Sequence, residues 1–182
     1  MPTELAIAGT DSLDRARVLA DFWAEHNLYC PNCSSEKLKR ANSQAGELFC
    51  PDCRSQFQIK GQPTGFGKSI AGGDFDSVTR AMGNGKTSGY FFLHYDARTW
   101  TVRDLLLVPC FAIPDAAIAR RAARGHFLLD RIPTEARIAM IITIKSDSPG
   151  GTECIMISRP EEVRGKFHRL RPRKGKSVRT SA

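Results

Sequence analysis

Two C-x-x-C pairs, Cys30-Pro-Asn-Cys33 and Cys50-Pro-Asp-Cys53, with sixteen residues between them, constrain this chain more than any other feature. Each pair can put two thiolates on one cation through a tight knuckle turn, and two knuckles complete the tetrahedral S₄ shell that Zn²⁺ favours. A redox motif needs only one such pair, and structural disulfides are rare in the cytosol. The reading is a structural zinc on Cys30, Cys33, Cys50 and Cys53. Four thiolates leave no open position for a substrate, so this cation holds a loop and performs no chemistry. Cys110 and Cys154 lie in apolar strands and read as small core residues.

The charge of the chain is concentrated at one end. Of 27 Lys and Arg among 182 residues, eight lie from Arg164 onward with no acid among them, which leaves residues 1–163 with nineteen basic and nineteen acidic side chains. A neutral body carrying a basic tail calls for an anionic polymer, since a cationic run gains affinity by releasing condensed counterions. Nucleic acid is the leading partner and an anionic membrane the weaker one. The longest apolar run, 105–113, is interrupted by Pro109 and is far shorter than the roughly 20 residues of a spanning helix. No basic, then apolar, leader is visible at the N-terminus, so an intracellular, cytoplasmic location at the nucleoid is expected.

Patterning gives the elements. Residues 12–27 place Leu13, Ala16, Leu19, Ala20, Trp23 and Ala24 on one helical face, with Asp11 or Ser12 as cap. Alternation makes 57–60 a short strand, and the glycines of 61–73 make that stretch a loop. A short helix is expected at 74–82, strands at 90–95 and 99–109, a third strand at 137–145 and a fourth at 154–157 paired with it across 146–151. The sum is a mixed α/β fold: one domain over 1–163, then a disordered basic tail over 164–182. Gly67-Lys-Ser69 and Gly85-Lys-Thr87 imitate the end of a phosphate-binding loop, but Gln62 and Arg80 stand where its first glycine is required.

Beside the second knuckle lies a set of residues suited to phosphodiester chemistry. With the knuckle as the tip of a hairpin, Glu47 on one strand can meet Gln58 and Lys60 on the next, and period-two alternation keeps Gln58 and Lys60 on one face while Ile59 turns to the core. Oxygen ligands hold Mg²⁺, which polarises the scissile phosphate, and a lysine can position the attacking water. As a bare pattern it also fits a solvated strand face.

The run Asp21-Phe-Trp, Tyr29-Cys-Pro-Asn-Cys33, Phe49-Cys-Pro-Asp-Cys53 and Phe57-Gln-Ile-Lys60, followed by Tyr90-Phe-Phe-Leu-His-Tyr95, resembles the Dam-replacing family of DpnI-type restriction endonucleases over residues 14–160. The resemblance implies a PD-(D/E)XK restriction-endonuclease-like core with an inserted four-Cys zinc site, cutting double-stranded DNA at GATC sequences containing N6-methyladenine with Mg²⁺. It implies zinc ligation by the four cysteines, a first metal-binding acid at Glu47, a second ligand at Gln58 and the catalytic lysine at Lys60, with Ile59 in the cation-binding set. Glu47 replaces the family's Asp and keeps its charge, whereas Gln58 replaces an acid and loses one. Asp52 or Asp74 could supply the missing carboxylate.

Recognition departs further. Family members continue into a winged-helix domain that reads methylated DNA, and here the basic tail occupies that place. The family's Trp-containing segment falls at 119–128, which has no Trp, so His126 or Phe127 would have to stack on the base, although an isolated aromatic there reads equally as core. Arg120, Arg121 and Arg124, with Lys68 and Lys86 around them and Lys174 in the tail, are the expected DNA-contacting cations; on a helix, three such arginines would equally be a solvated face. Two rivals to a Mg²⁺-dependent endonuclease follow from the same residues: a non-catalytic zinc-containing DNA-binding protein, and an RNA-binding zinc ribbon, which the long strand-rich body disfavours.

Overall fold

The computed structural model describes residues 12–41, 46–144 and 154–172. Helix α1, Ser12–Asn27, forms where the apolar spacing places it. Its face of Leu19, Ala20 and Ala24 is buried. Its last turn is closed by side chains: Asn27 Nδ2 donates to the Trp23 carbonyl at 2.7 Å and His26 Nδ1 meets the Phe22 carbonyl at 2.8 Å, satisfying acceptors that a helix end leaves unpaired.

The main sheet has the order β1-β2-β3-β5-β6-β9, built from β1 Lys39–Arg40, β2 Glu47–Phe49, β3 Gln56–Gln62, β5 Thr87–Asp96, β6 Thr101–Pro109 and β9 Ile138–Ala139. Only β3 and β5 run parallel among these neighbours. A parallel pair needs a crossover, and β4 Ser69–Asp74 with α2 Phe75–Gly83 supplies it. β5 is flanked on both edges and covered on both faces, which is why Tyr90, Phe91, Phe92 and Leu93 can follow one another without a polar residue. Alternation divides the core into two layers. Phe57, Ile59, Phe91, Leu105 and Leu107 face α1 and helix α3, Pro160–Arg169, whose Val163 and Phe167 are buried among them. Tyr90, Phe92 and Val108 face a second sheet of order β4-β8-β7, with β7 Ile118–Arg121 and β8 Arg124–Leu128, which contributes Ile70 and Phe127. A third, two-stranded sheet pairs β10 Ile141–Ile144 with β11 Cys154–Ile157, antiparallel.

The mixed α/β class is therefore observed, along with the helices at 12–27 and 75–83, the two long strands and the pairing of the last two strands, whose connection lies outside the described residues. Three expectations on structure change. The glycine-rich stretch 61–73 is not all loop: β3 runs to Gln62 and β4 starts at Ser69. Glycine serves close approach in β4, since a Cβ at Gly72 would strike the Phe127 ring at 2.7 Å, whereas one at Gly61 would make only ordinary contact with Tyr95 and Ala20. The strand expected over 137–145 is split: Met140 separates β9 from β10, its N–H on Leu105 and its carbonyl on Ser158 N–H. The tail expected to begin at Arg164 as a disordered segment is helical and packed to Arg169, so the 163/164 boundary falls inside α3. Val163 and Phe167, spaced four apart, were too few among the cations to announce an amphipathic helix. Residues 173–182, including Lys174, lie outside the described residues.

Cys110 is buried in a 3₁₀ turn directly after β6, its sulfur 3.5 Å from that of Met82, in keeping with a small core residue. Cys154 lies in β11, and its side chain is outside the described residues. No helix among the described residues is long and apolar enough to cross a membrane.

Candidate metal centre and active site

The two C-x-x-C pairs fold as the same turn. Cys30 N–H donates to the Ser35 carbonyl at 3.0 Å and Cys50 N–H to the Ser55 carbonyl at 2.9 Å. In the first turn the amides of Asn32 and Ser35 point at Cys30 Sγ and Cys33 Sγ, at 3.3 and 3.5 Å. The four sulfurs all lie within 4.8 Å of one another, with Cys30 to Cys53 at 3.7 Å and Cys33 to Cys50 at 3.5 Å. Tetrahedral ligands about 2.3 Å from a central zinc would be about 3.8 Å apart, whereas a disulfide would need about 2.05 Å. The cage therefore fits Zn²⁺. Burial raises the Cys30 and Cys33 thiols. Burial also acts on Cys53, but hydrogen bonds from the Ser55 hydroxyl and amide outweigh it and bring that thiol down to about 6. Donors aimed at sulfur are what a thiolate cage needs, and a divalent cation compensates the remaining buried charge.

The second knuckle is the tip of the β2–β3 hairpin. Register puts Glu47 directly opposite Gln58, Leu48 opposite Phe57 and Phe49 opposite Gln56. Leu48, Phe57 and Ile59 point into the core, so Glu47, Gln58 and Lys60 share the other face and are partly buried. Glu47 and Gln58 line a cleft of about 120 Å³ together with Gln56 and Thr87. That volume holds a cation with some of its waters, given about 30 Å³ per water, and directly opposed residues have Cβ atoms about 5 Å apart, close enough to share an ion. The oxygen donors are of the kind Mg²⁺ takes. Lys60 stands two residues along from Gln58, and a Cβ placed at Gly73 would be 3.9 Å from its Nζ, so β4 walls it on that side without covering it. Burial lowers the Lys60 pKa, the Arg17 cation lowers it further, and Asp21 and Glu47 act in the opposite direction.

Asp21 is the residue that sequence reasoning left without a role. Its Oδ2 accepts from Gly46 N–H at 3.1 Å, and the Gly46 carbonyl accepts from Ile59 N–H at 2.8 Å. Gly46 has φ +83°, and a Cβ there would meet the Ile59 carbonyl at 3.0 Å, so the link requires glycine. One carboxylate on α1 thus holds the residue just before Glu47 and, through it, the strand carrying Gln58 and Lys60. Burial raises the Asp21 pKa, against the Gly46 hydrogen bond and the Arg40, Lys60 and Arg17 cations. An acid adjoining the buried Leu19-Ala20 pair of an amphipathic helix was the available signal. Of the alternatives named from sequence, Asp74 caps α2 through Ser77 N–H at 2.8 Å, and Asp52 is exposed within the second knuckle.

The sequence model of DpnI, described as the Dam-replacing family, matches residues 1–148. This chain belongs to the Dam-replacing family. The match takes in both knuckles, Asp21, Glu47, Gln58 and Lys60, and stops short of β11 and α3.

Within this Dam-replacing chain the expected DNA-contacting cations fall into separate places. Arg120, Arg121 and Arg124 are not on a helix but at the tip of the β7–β8 hairpin, all exposed, with Arg121 directly opposite Arg124. Like charges opposed across two strands repel, so this tip favours an anion between them. Arg120 lies 4.9 Å over the Phe75 ring and 3.6 Å from Asp76, which fixes its place. Through Gly73 opposite Gly125 and Asp74 opposite Arg124, the tip flanks the end of β4 nearest Lys60. Lys68 precedes the other end of β4, about 16 Å away at strand rise. Lys86 is exposed in the turn between α2 and β5. Phe127 cannot stack on a base: it is wholly buried against Tyr90 and Phe92. His126, on the other side of β8, is partly exposed.

Proposed function

We propose that this member of the Dam-replacing family is a Mg²⁺-dependent endonuclease that hydrolyses DNA phosphodiesters in a restriction role, on the PD-(D/E)XK plan, with zinc in the four-cysteine cage. The observation that carries this reading is the Glu47–Gln58 cross-strand pair with Lys60 two residues on, together on one partly buried face of the sheet. Bound between Glu47 and Gln58, with Ile59 lending the intervening backbone, Mg²⁺ would polarise the phosphate and acidify a water. Lys60, with its pKa lowered by burial, is fitted to hold that water in line and to take part of its proton. As the water oxygen bonds to phosphorus, the opposite P–O ester bond breaks and the departing alkoxide takes up a proton. The arginine tip beside Lys60 contacts the phosphate backbone, and Arg there is also suited to a bidentate contact with guanine. Family membership supports methylated GATC as the substrate, with His126 the side chain available to touch the base. Acting on DNA, the protein works inside the cell at the nucleoid.

A second reading has one observation in its favour. Gln58 brings no charge where an acid is usual, so the chain is alternatively a DNA-binding protein with a zinc cage and a lapsed nuclease site. Cleavage of methylated and unmethylated plasmid, with and without Mg²⁺, separates the two. Lys60→Ala should abolish Mg²⁺-dependent cutting while changing DNA affinity less than threefold, because the lysine acts in the transition state. Equal background nicking by wild type and Lys60→Ala with Mg²⁺ or Mn²⁺ selects the binding protein.

A further inference from the structure

The segment after β11 is tied to the four-cysteine turns. Arg164 Nε donates to the Cys30 carbonyl and its Nη2 to the Ser35 carbonyl, both at 3.0 Å, and its guanidinium lies 5.4 Å from the centre of the Tyr29 ring. Tyr29 OH donates to the Ser158 carbonyl at 2.8 Å, just ahead of α3. At the other end Arg171 donates to Asn32 Oδ1 while lying 5.8 Å over the Phe167 ring. Asn32 is itself part of the cage: its amide N–H points at Cys30 Sγ, and its Nδ2 donates to Ser55 Oγ at 2.7 Å and faces Cys53 Sγ at 3.7 Å. Both carbonyls that Arg164 reads belong to the first turn, which the Cys30 N–H closes by donating to the Ser35 carbonyl. Ligation of Cys30 and Cys33 fixes that turn, so the helix is docked on a shape that the metal defines.

The exposed acids of the helix, Glu161 and Glu162, are confined to its first turn, and its outward side beyond them is cationic. Lys166 and Arg169 are exposed, and no acid follows Glu162 in the sequence. Arg164 and Arg171 are engaged with the cage, so half of the four Lys and Arg in 164–171 serve as anchor and half face solvent. Cations on an anchored helix lose less freedom on contact than the same cations on a loose tail, which suits them to the evenly spaced phosphates of a duplex.

We propose that α3 is a second contact for a nucleic-acid phosphate backbone, held in place by the metal-loaded cage through Arg164 and Asn32 and presenting Lys166 and Arg169. This surface rests on DNA being the ligand, as proposed above, but not on cleavage. It is tested on full-length, zinc-loaded protein in Mg²⁺-free buffer, by fluorescence anisotropy with a 20-base-pair duplex across a salt series and by hydrogen exchange of the α3 amides. Lys166→Ala/Arg169→Ala should lower the slope of log affinity against log salt by about 1.8, equally for methylated and unmethylated duplex, and keep one zinc per chain. Arg164→Gln should speed exchange at residues 163–170 at least tenfold with zinc retained, and lower the affinity for duplex. Wild type titrated with a chelator should lose α3 protection at the chelator concentration that releases zinc. An unchanged salt slope in the double variant overturns the proposal, as does full α3 protection in Arg164→Gln. Loss of binding to anionic vesicles rather than to duplex in the double variant also overturns it, assigning the helix to a lipid surface. If chelation unfolds the whole chain, the Arg164→Gln measurement decides. Loss of cleavage with the slope intact would count against this surface alone, and a normal slope change in a protein that never cuts would count against the nuclease alone.

Discussion

Replacing Gln58 by Glu turns the cross-strand register into a measurable electrostatic event. Glu47 and Gln58 are directly opposite on one face, so the variant sets two carboxylates with Cβ atoms about 5 Å apart, and like charges so placed cost up to about 1 kcal/mol. In a chain of 182 residues, about 1 kcal/mol displaces Tm by about 2–4 °C. Without divalent cation, Gln58→Glu should therefore melt up to about 4 °C below wild type, somewhat less where Lys60 offsets the repulsion. Mg²⁺ should reverse the order. A cation at tenfold its Kd adds about 1.4 kcal/mol to the folded state, and the variant should reach that occupancy at a lower Mg²⁺ concentration than wild type because two carboxylates attract it in place of one. The assay is a thermal melt in EDTA and across a Mg²⁺ series, which needs no cleavage. If Gln58→Glu melts with wild type in EDTA and both respond identically to Mg²⁺, the two side chains do not share a cation site and the reasoning fails.

Two other perturbations probe the surroundings. Cys50→Ser should drop zinc from one per chain to none and cost most of the folded state, since metal binding at such a cage, about 10–16 kcal/mol in small zinc modules, is folding free energy; elemental analysis with circular dichroism checks it. Asp21→Asn keeps an acceptor for Gly46 N–H and removes the charge. The Asp21 pKa is raised on folding by burial, so its contribution is fully present below the unfolded carboxylate value and is lost as pH rises through the folded one. The Asn variant should accordingly be the more stable at pH 7, and its advantage should vanish below about pH 4, as read by urea denaturation.

How far the sequence could be read depended on how local each signal was. The cysteine spacing, the α1 face and the apolar run of β5 depend on neighbours a few positions away, and all three are where the pattern put them. The hairpin alternation also placed Glu47, Gln58 and Lys60 on one face. The Asp21–Gly46–Ile59 link was not legible, because it joins a helix, a turn and a strand through single hydrogen bonds that leave no period in the sequence. The stretch 61–73 misled because a strand glycine packed beneath Phe127 looks the same on paper as a glycine in a turn. The arginine tip and α3 misled through charge: Arg120 over Phe75 places the tip, and α3 buries only Val163 and Phe167 among its cations, with Arg164 bonded to the carbonyls of the first knuckle.

The nearness of the cysteine cage to the proposed cation site has a mechanical reason. β2 is only three residues long, too short to hold its own register against slippage, and a slip of one residue would carry Glu47 to the core face and expose Leu48 in its place. Three constraints act on that register. From one end the second knuckle joins Phe49 to Gln56, with Cys50 bonded to Ser55 and its thiol tied into the cage. From the other end Asp21 holds Gly46, and Gly46 holds Ile59. Between them, Leu48 and Phe57 are buried together and resist exposure by about 1.5–3 kcal/mol each. On the proposed reading, a zinc ion in the cage would serve the cation site by helping to keep Glu47 opposite Gln58, so four thiolates closed to solvent chemistry can still support the site beside them.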